Sequence, residues 1–186
     1  LNRFEVTVFG AEPDSAYDRV HLSEVFGGKA PEALQLADPA WYGAQGIELR
    51  LGAEVEALDR VVRTLTLANG EQFLYDRLVL ATGSYPFVTP ISGFQRAGCF
   101  VYRTLGDLAA IRDACAQARS GVVIGGGLLG LEAANALRLL GRKTQVVEFA
   151  PRLMPVQLDD NGGAVLRDKI RALGVEVLVE KATECI

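Results

Sequence analysis

Three glycines and one acid carry the clearest chemistry in this sequence. Gly125, Gly127 and Gly130 stand in the spacing G-x-G-x-x-G, and Glu148 follows them by about twenty residues, the distance at which a carboxylate can hold a ribose hydroxyl. Each glycine has its own mechanical role, Gly125 in a tight turn, Gly127 in close approach of a pyrophosphate, and Gly130 in contact between helix and strand. Backbone N–H groups freed at such a turn, together with the positive end of the next helix, face the phosphates. The spacing alone also occurs in plain turns, so its flanks decide. Val122-Val123-Ile124 is a β-branched run, an amphipathic helix follows as far as Gly141, and Gln145-Val146-Val147 is a second apolar strand that ends in the acid. The motif sits inside a βαβ unit, the setting a dinucleotide requires.

Glu148 also bears on which dinucleotide is taken. A carboxylate there accepts hydrogen bonds from the ribose of NADH and sets like charge against the 2′-phosphate of NADPH, which penalises the wrong ligand. NADH is therefore the expected partner. Arg152, four residues later, is a cation within reach of a phosphate and leaves dual specificity open.

The bulk numbers exclude several classes. With 49% apolar and 23% charged residues the composition is that of a soluble globular protein. A net charge of −4 and the lack of a basic run argue against a nucleic-acid partner. No apolar stretch is long enough for a membrane span, and the charged start does not read as a signal peptide. Cys99, Cys115 and Cys185 are scattered without C-x-x-C or zinc-like spacing; they read as incidental thiols suited to a reducing cytoplasm. His21 is the single histidine, so no histidine-based triad or multi-histidine metal site is expected, and no metal ligands are assigned.

The elements that must position these groups follow in order. Phe4 to Phe9 reads as a buried parallel strand, and Glu12 repeats just beyond it the acid-after-strand theme of Glu148. Such a strand is normally the second of a mononucleotide-binding unit. A first strand and glycine turn are expected upstream, and the chain is read as a fragment that carries no FAD on its own. Pro31 to Ala37 reads as a short helix, and Asp38-Pro39 caps another, with Trp41 and Tyr42 expected in the core. From Ile47 to Thr82 the period falls to two, and with Asn69-Gly70 as a hairpin turn this predicts an antiparallel meander. Leu78-Val79-Leu80 reads as a buried strand leading into Ala81-Thr82-Gly83, whose small residues either admit a ligand to the backbone or merely close the strand. Thr104 with Asp107 opens a capped helix, Asp159 to Leu173 forms another that ends at Gly174, and Val175 to Val179 is a strand. The expected fold is α/β: two incomplete Rossmann-like parallel sheets, for FAD and NAD(P), with an antiparallel β-meander. Residues 1–103 are expected to form the FAD part and 104–186 the NAD(P) part.

Two such units separated by a meander and Ala81-Thr82-Gly83 resemble the pyridine-nucleotide-dependent flavoprotein reductases. Four stretches, Ala16–Ser23, Ala81–Pro86, Phe100–Thr104 and Gly125–Ala134, are similar to the flavin portion of the large subunit of bacterial NAD(P)H-dependent nitrite reductases, as is Val147–Pro151. The resemblance implies that Glu12 holds the FAD adenosine ribose, that Arg19 and Ser23 lie along the flavin, and that Ala81, Thr82 and Gly83 pass close to it. It places Arg103 near the junction of the cofactors, Leu129 with Gly125, Gly127 and Gly130 at the NAD(P)H pyrophosphate, Glu148 at its ribose, and Glu132 toward the flavin–nicotinamide contact. No residue of the chain is expected to be catalytic beyond Glu132. The implied chemistry is hydride transfer from NAD(P)H to FAD, with electrons passed to a sirohaem and iron–sulfur centre in a downstream redox domain, and with a small subunit as a further partner. Ferredoxin reductases of the wider family have a lysine after the Leu-Ser pair, where this chain has Glu24, and the reactive cysteines of disulfide reductases are missing around Ser23. A rubredoxin or ferredoxin reductase, or a non-catalytic dinucleotide-binding module, stand as alternatives.

Overall fold

The computed structural model describes residues 4–186. By contacts these fall into two compact bodies, one built from the residues up to Asp18 with Pro31–Ser84, the other from Arg19–Ala30 with Tyr85–Ile186.

In the first body, β1 (Val6–Phe9) is a strand as expected, but it is only partly covered, with a single strand beside it among the described residues. After a 3₁₀ turn at Pro31–Leu34, α1 (Pro39–Ala44) starts where the sequence places it, with the Asp38 carboxylate accepting the Trp41 N–H at 2.7 Å. Trp41 is 49% exposed, so the expectation of a core tryptophan fails. No residue of this six-residue helix is buried. The next strand, β2 (Ile47–Arg50), corrects a second expectation. Its alternation suggested the meander, yet it pairs in parallel with β1, Val8 opposite Leu49. Period two states that one face is covered; it does not state which partner lies alongside.

The meander itself is β3 (Val55–Asp59), β4 (Thr64–Leu67) and β5 (Gln72–Leu74), antiparallel throughout. Its second turn is the Asn69-Gly70 pair, where Gly70 has φ +88° and the Asn69 side chain accepts the Glu71 N–H at 2.9 Å. Leu65 and Leu67 form its buried row. Leu78-Val79-Leu80 also departs from the buried strand expected of it. This run forms no strand, and Val79 is 86% exposed. A parallel strand exists only through its ladder, and none of the described strands runs beside this one.

The second body is the βαβαβ unit read from the glycine motif. The helix α2 (Leu105–Gln117) opens on the reciprocal Thr104–Asp107 capping box and buries Leu108, Ile111 and Cys115. The strands β6 (Ser120–Ile124), β7 (Lys143–Val147) and β8 (Val175–Leu178) form one parallel sheet. The helices α3 (Leu128–Leu139) and α4 (Asp160–Ala172) make the two crossovers. Val123, Val146 and Val177 stand opposite one another across the sheet. Val146 and Val177 with Ala134, Leu153 and Val175 form the core, against which Val123, Leu131, Leu166 and Ile170 pack. Each fully buried valine or leucine here contributes roughly 1.5–3 kcal/mol by leaving water. Alternation places Val122 and Ile124 on the other face of β6, where they stay exposed. Among the described residues no helix is long and apolar enough to cross a membrane.

Candidate functional site

The glycine turn leaves the carboxyl end of β6 and enters α3. Gly125 has φ +111°, which L side chains rarely adopt, and its N–H donates to the Val147 carbonyl at 2.8 Å, so the turn is tied to β7. At Gly130 a Cβ would overlap the carbonyl oxygen of Gly125 and reach its carbon at 3.0 Å. The first turn of α3 thus lies directly on the end of the strand. Gly127 is the helix N-cap, with no side-chain bond to the helix, and nothing stands within 4 Å of the position a Cβ would take. That open space lies beside a helix start, whose first N–H groups have no partner within the helix. Leu129, in the first turn, is exposed at the same edge.

Glu148 is turned into this loop. One carboxylate oxygen accepts the Gly126 N–H at 2.5 Å and the other accepts the Ala150 N–H at 2.7 Å. It therefore braces the turn as well as standing at the strand end. A carboxylate offers about four acceptor sites, so a ribose diol can still be met. Gly126 has no room for a side chain, because a Cβ there would come within 2.5 Å of Leu153 and 3.1 Å of Glu148. Sequence reasoning missed both Leu153, fully buried beneath the turn, and the bracing role of the acid. Arg152 is pinned: its guanidinium donates to the carbonyls of Leu158 (2.8 Å) and Pro155 (3.2 Å) and pairs with Asp160 at 2.8 Å.

A second cluster in the same body gathers residues from three separate stretches. A broken 3₁₀ segment, Arg19–Val25, packs against α3, and the break falls at His21. Arg19 donates to the Arg103 carbonyl at 3.1 Å, and the Phe26 and Tyr102 rings stack with centroids 6.4 Å apart. Burial pushes the Glu132 carboxyl above its ordinary range, and the charge of His21 pulls it partly back. Burial, then the negative charge of Glu132, pushes the Tyr102 phenol up to about 12, with Ser23 opposing. The Tyr102 hydroxyl is buried without a hydrogen bond of ordinary geometry among the described residues. The structure thus brings Arg19, Ser23, Arg103 and Glu132 into one body, and adds His21 and Tyr102, to which no sequence motif points. Glu24 pairs with Lys29 at 2.6 Å, so this position meets a cation instead of supplying one.

In the first body, Glu12 lies beyond β1, and its carboxylate accepts the Tyr17 hydroxyl at 2.5 Å. Ala81, Thr82 and Gly83 lie on an exposed stretch, with Gly83 at φ +65°. Cys115 is buried, Cys99 half-buried and Cys185 exposed, all as free thiols.

The profile of the pyridine nucleotide-disulphide oxidoreductases matches residues 1–186. The nitrite reductase [NAD(P)H] large subunit of Klebsiella oxytoca is 56% identical over 181 residues, 97% of this chain and 19% of that protein. The nitrite reductase (NADH) large subunit of Escherichia coli K12 is 47% identical over 180 residues, 97% of this chain and 21% of that one. Among solved structures, a ferredoxin reductase from Rhodopseudomonas palustris superposes with a TM-score of 0.87 at 28% identity, covering 98% of this chain and 46% of the other. The chain spans about a fifth of the length of the curated relatives named here.

Proposed function

The chain belongs to the pyridine nucleotide-disulphide oxidoreductase family, and from that premise we propose that it is the nicotinamide- and flavin-binding part of an NAD(P)H-dependent nitrite reductase. The observation that carries this reading is the turn at Gly125–Gly130. It has open space at Gly127, a helix seated on the strand at Gly130, and an acid in place at Glu148. The identity to two nitrite reductase large subunits supports the choice of reaction. Residues 1–103 form the flavin part of this proposal and 104–186 the nicotinamide part. Segments 19–30 and 85–103 join the latter in contacts, so the proposed functional halves and the compact bodies have different bounds.

A nicotinamide and a flavin held together supply hydride transfer and then single electrons. The chain's own residues bind and orient. Gly125, Gly127, Leu129 and Gly130 take the pyrophosphate of the nicotinamide cofactor on backbone donors, and Glu148 takes its ribose. Pinning of Arg152 by two carbonyls and Asp160 leaves a 2′-phosphate facing Glu148 without that cation, which favours NADH. Glu12 takes the FAD ribose, and Ala81, Thr82 and Gly83 offer it a bare backbone. Arg19, Ser23, Arg103 and Glu132 border the reacting rings. With its pKa raised by burial, Glu132 holds a proton at a pH where an exposed carboxylate has lost one. A sirohaem and iron–sulfur centre in a downstream domain would take the electrons, with a small subunit as partner, in the cytoplasm, where free cysteines persist.

The test is anaerobic addition of NADH to the intact flavin-loaded protein. Prompt loss of the flavin's visible absorption is expected, followed by recovery when nitrite is added. A flavin that stays oxidised under saturating NADH contradicts the reading.

A further inference from the structure

The acid beyond β1 is held by a second residue, one that carries no sequence motif of its own. Tyr17 is only 7% exposed, and its hydroxyl donates to Glu12 Oε2 at 2.5 Å, the short distance of a charge-assisted bond. Both ends of this contact are anchored. The backbone around Tyr17 is clamped by a bridge to Gln35, by the Asp18 N–H on the Leu34 carbonyl (2.8 Å) and by the Leu36 N–H on the Ala16 carbonyl (2.8 Å). The Glu12 carbonyl accepts the Gly52 N–H at 2.9 Å, and Gly10 exchanges bonds with Arg50 (2.9 Å) and Ala53 (2.8 Å). Backbone and carboxylate of Glu12 are thus fixed independently, the one by the loop after β2, the other by the phenol.

We propose that Tyr17 is a positioning residue that presents the Glu12 carboxylate to the ribose diol of a bound flavin dinucleotide. This rests on the reading of Glu12 as the FAD ribose acid. A glutamate at a loop end loses rotamer freedom when it is ordered. A buried donor that orders it beforehand removes part of that loss from the binding step. One oxygen of the carboxylate is turned to the phenol, and a carboxylate has about four acceptor sites in all. In this proposal Tyr17 acts on FAD through Glu12.

The experiment uses the intact protein stripped of flavin, with affinity read from quenching of flavin fluorescence. The probes are FAD and an FAD built on 2′,3′-dideoxyadenosine, which offers Glu12 no ribose hydroxyl. Tyr17→Phe keeps the buried ring and removes only the hydroxyl. The expected result is about fivefold to tenfold weaker FAD binding in Tyr17→Phe, the usual worth of one hydrogen bond, with the dideoxy analogue bound as in wild type. Equal weakening toward both probes, or none toward FAD while Glu12→Gln weakens it, overturns the proposal for Tyr17 alone. Unchanged FAD affinity in Glu12→Gln removes the ribose reading and the proposal with it. Thermal unfolding of both variants checks that the fold is retained, and a large fall in Tyr17→Phe overturns the proposal by making the phenol a structural brace.

Discussion

Gly130→Ala and Gly127→Ala are expected to separate the structural glycine of the turn from the ligand-facing one. An alanine inside a helix normally stabilises by about 1 kcal/mol over glycine. At Gly130 that gain is overridden, because the new methyl overlaps the backbone carbonyl of Gly125, which cannot rotate aside as a side chain would. Strand and helix must part, and overpacking of this kind costs about 1–3 kcal/mol. Taking the upper figure and subtracting the helix gain leaves a net loss of about 2 kcal/mol. In a chain of this size that lowers the unfolding midpoint by roughly 4–8 °C. Gly127 has φ −79° and ψ −178°, which alanine adopts freely, and nothing lies near its Cβ position. Gly127→Ala therefore leaves the midpoint nearly unchanged, since exchanging glycine for alanine at an N-cap costs a fraction of a kcal/mol. It fills the space proposed for the pyrophosphate, and NADH affinity is expected to fall about tenfold or more, a loss above roughly 1.4 kcal/mol. Thermal unfolding and calorimetric titration with NADH measure the two effects. A Gly130→Ala protein that melts higher than wild type, or a Gly127→Ala protein that binds NADH normally, refutes the geometry.

The Tyr102 phenol should ionise near pH 12 by ultraviolet titration and at lower pH in Glu132→Gln, because the carboxylate is one of the charges that push it up. Glu132 binds its proton more tightly folded than unfolded, so its contribution to stability is present below the ordinary value of 4.5 and is lost as pH rises through the higher folded value. Wild type should lose stability relative to Glu132→Gln over that window, and parallel denaturation curves across it would contradict the burial. Under native conditions Cys185 should react with a thiol reagent well before Cys115, whose thiol is held up by burial. Equal rates would show that α2 opens.

The βαβαβ unit of the second body was legible in the sequence, because its signals are local. The β-branched run, the three glycines, the stop at Gly141 (φ +73°) and the capping box at Thr104 each specify backbone geometry within a few residues. Legibility fell where the outcome depends on a distant partner. Ile47–Arg50 alternates like a meander strand but pairs in parallel with Val6–Phe9, and Leu78-Val79-Leu80 has strand composition without a neighbouring strand. The site follows the same division. The positions of Gly125, Gly127, Gly130 and Glu148 could be read from spacing. The bonds from Gly126 and Ala150 to Glu148, the pinning of Arg152 and the gathering of His21, Tyr102 and Glu132 are tertiary facts without a local signature. Tyr17 and Glu12, five residues apart, were both visible, but nothing in their spacing says that a phenol ends on a carboxylate.

The central claim is that the turn after β6 holds a nicotinamide dinucleotide with Glu148 on its ribose. Its most direct test is the affinity for NADH and NADPH, measured by titration in wild type and in Glu148→Ala. Like charges about 4 Å apart repel by about 1 kcal/mol in water and about 4 kcal/mol at a protein surface. Wild type should therefore favour NADH by at least about fivefold, 1 kcal/mol being nearly that factor. Glu148→Ala should bind NADH more weakly and bring the two affinities close together. An unchanged ratio of NADH to NADPH affinity in Glu148→Ala would contradict the account.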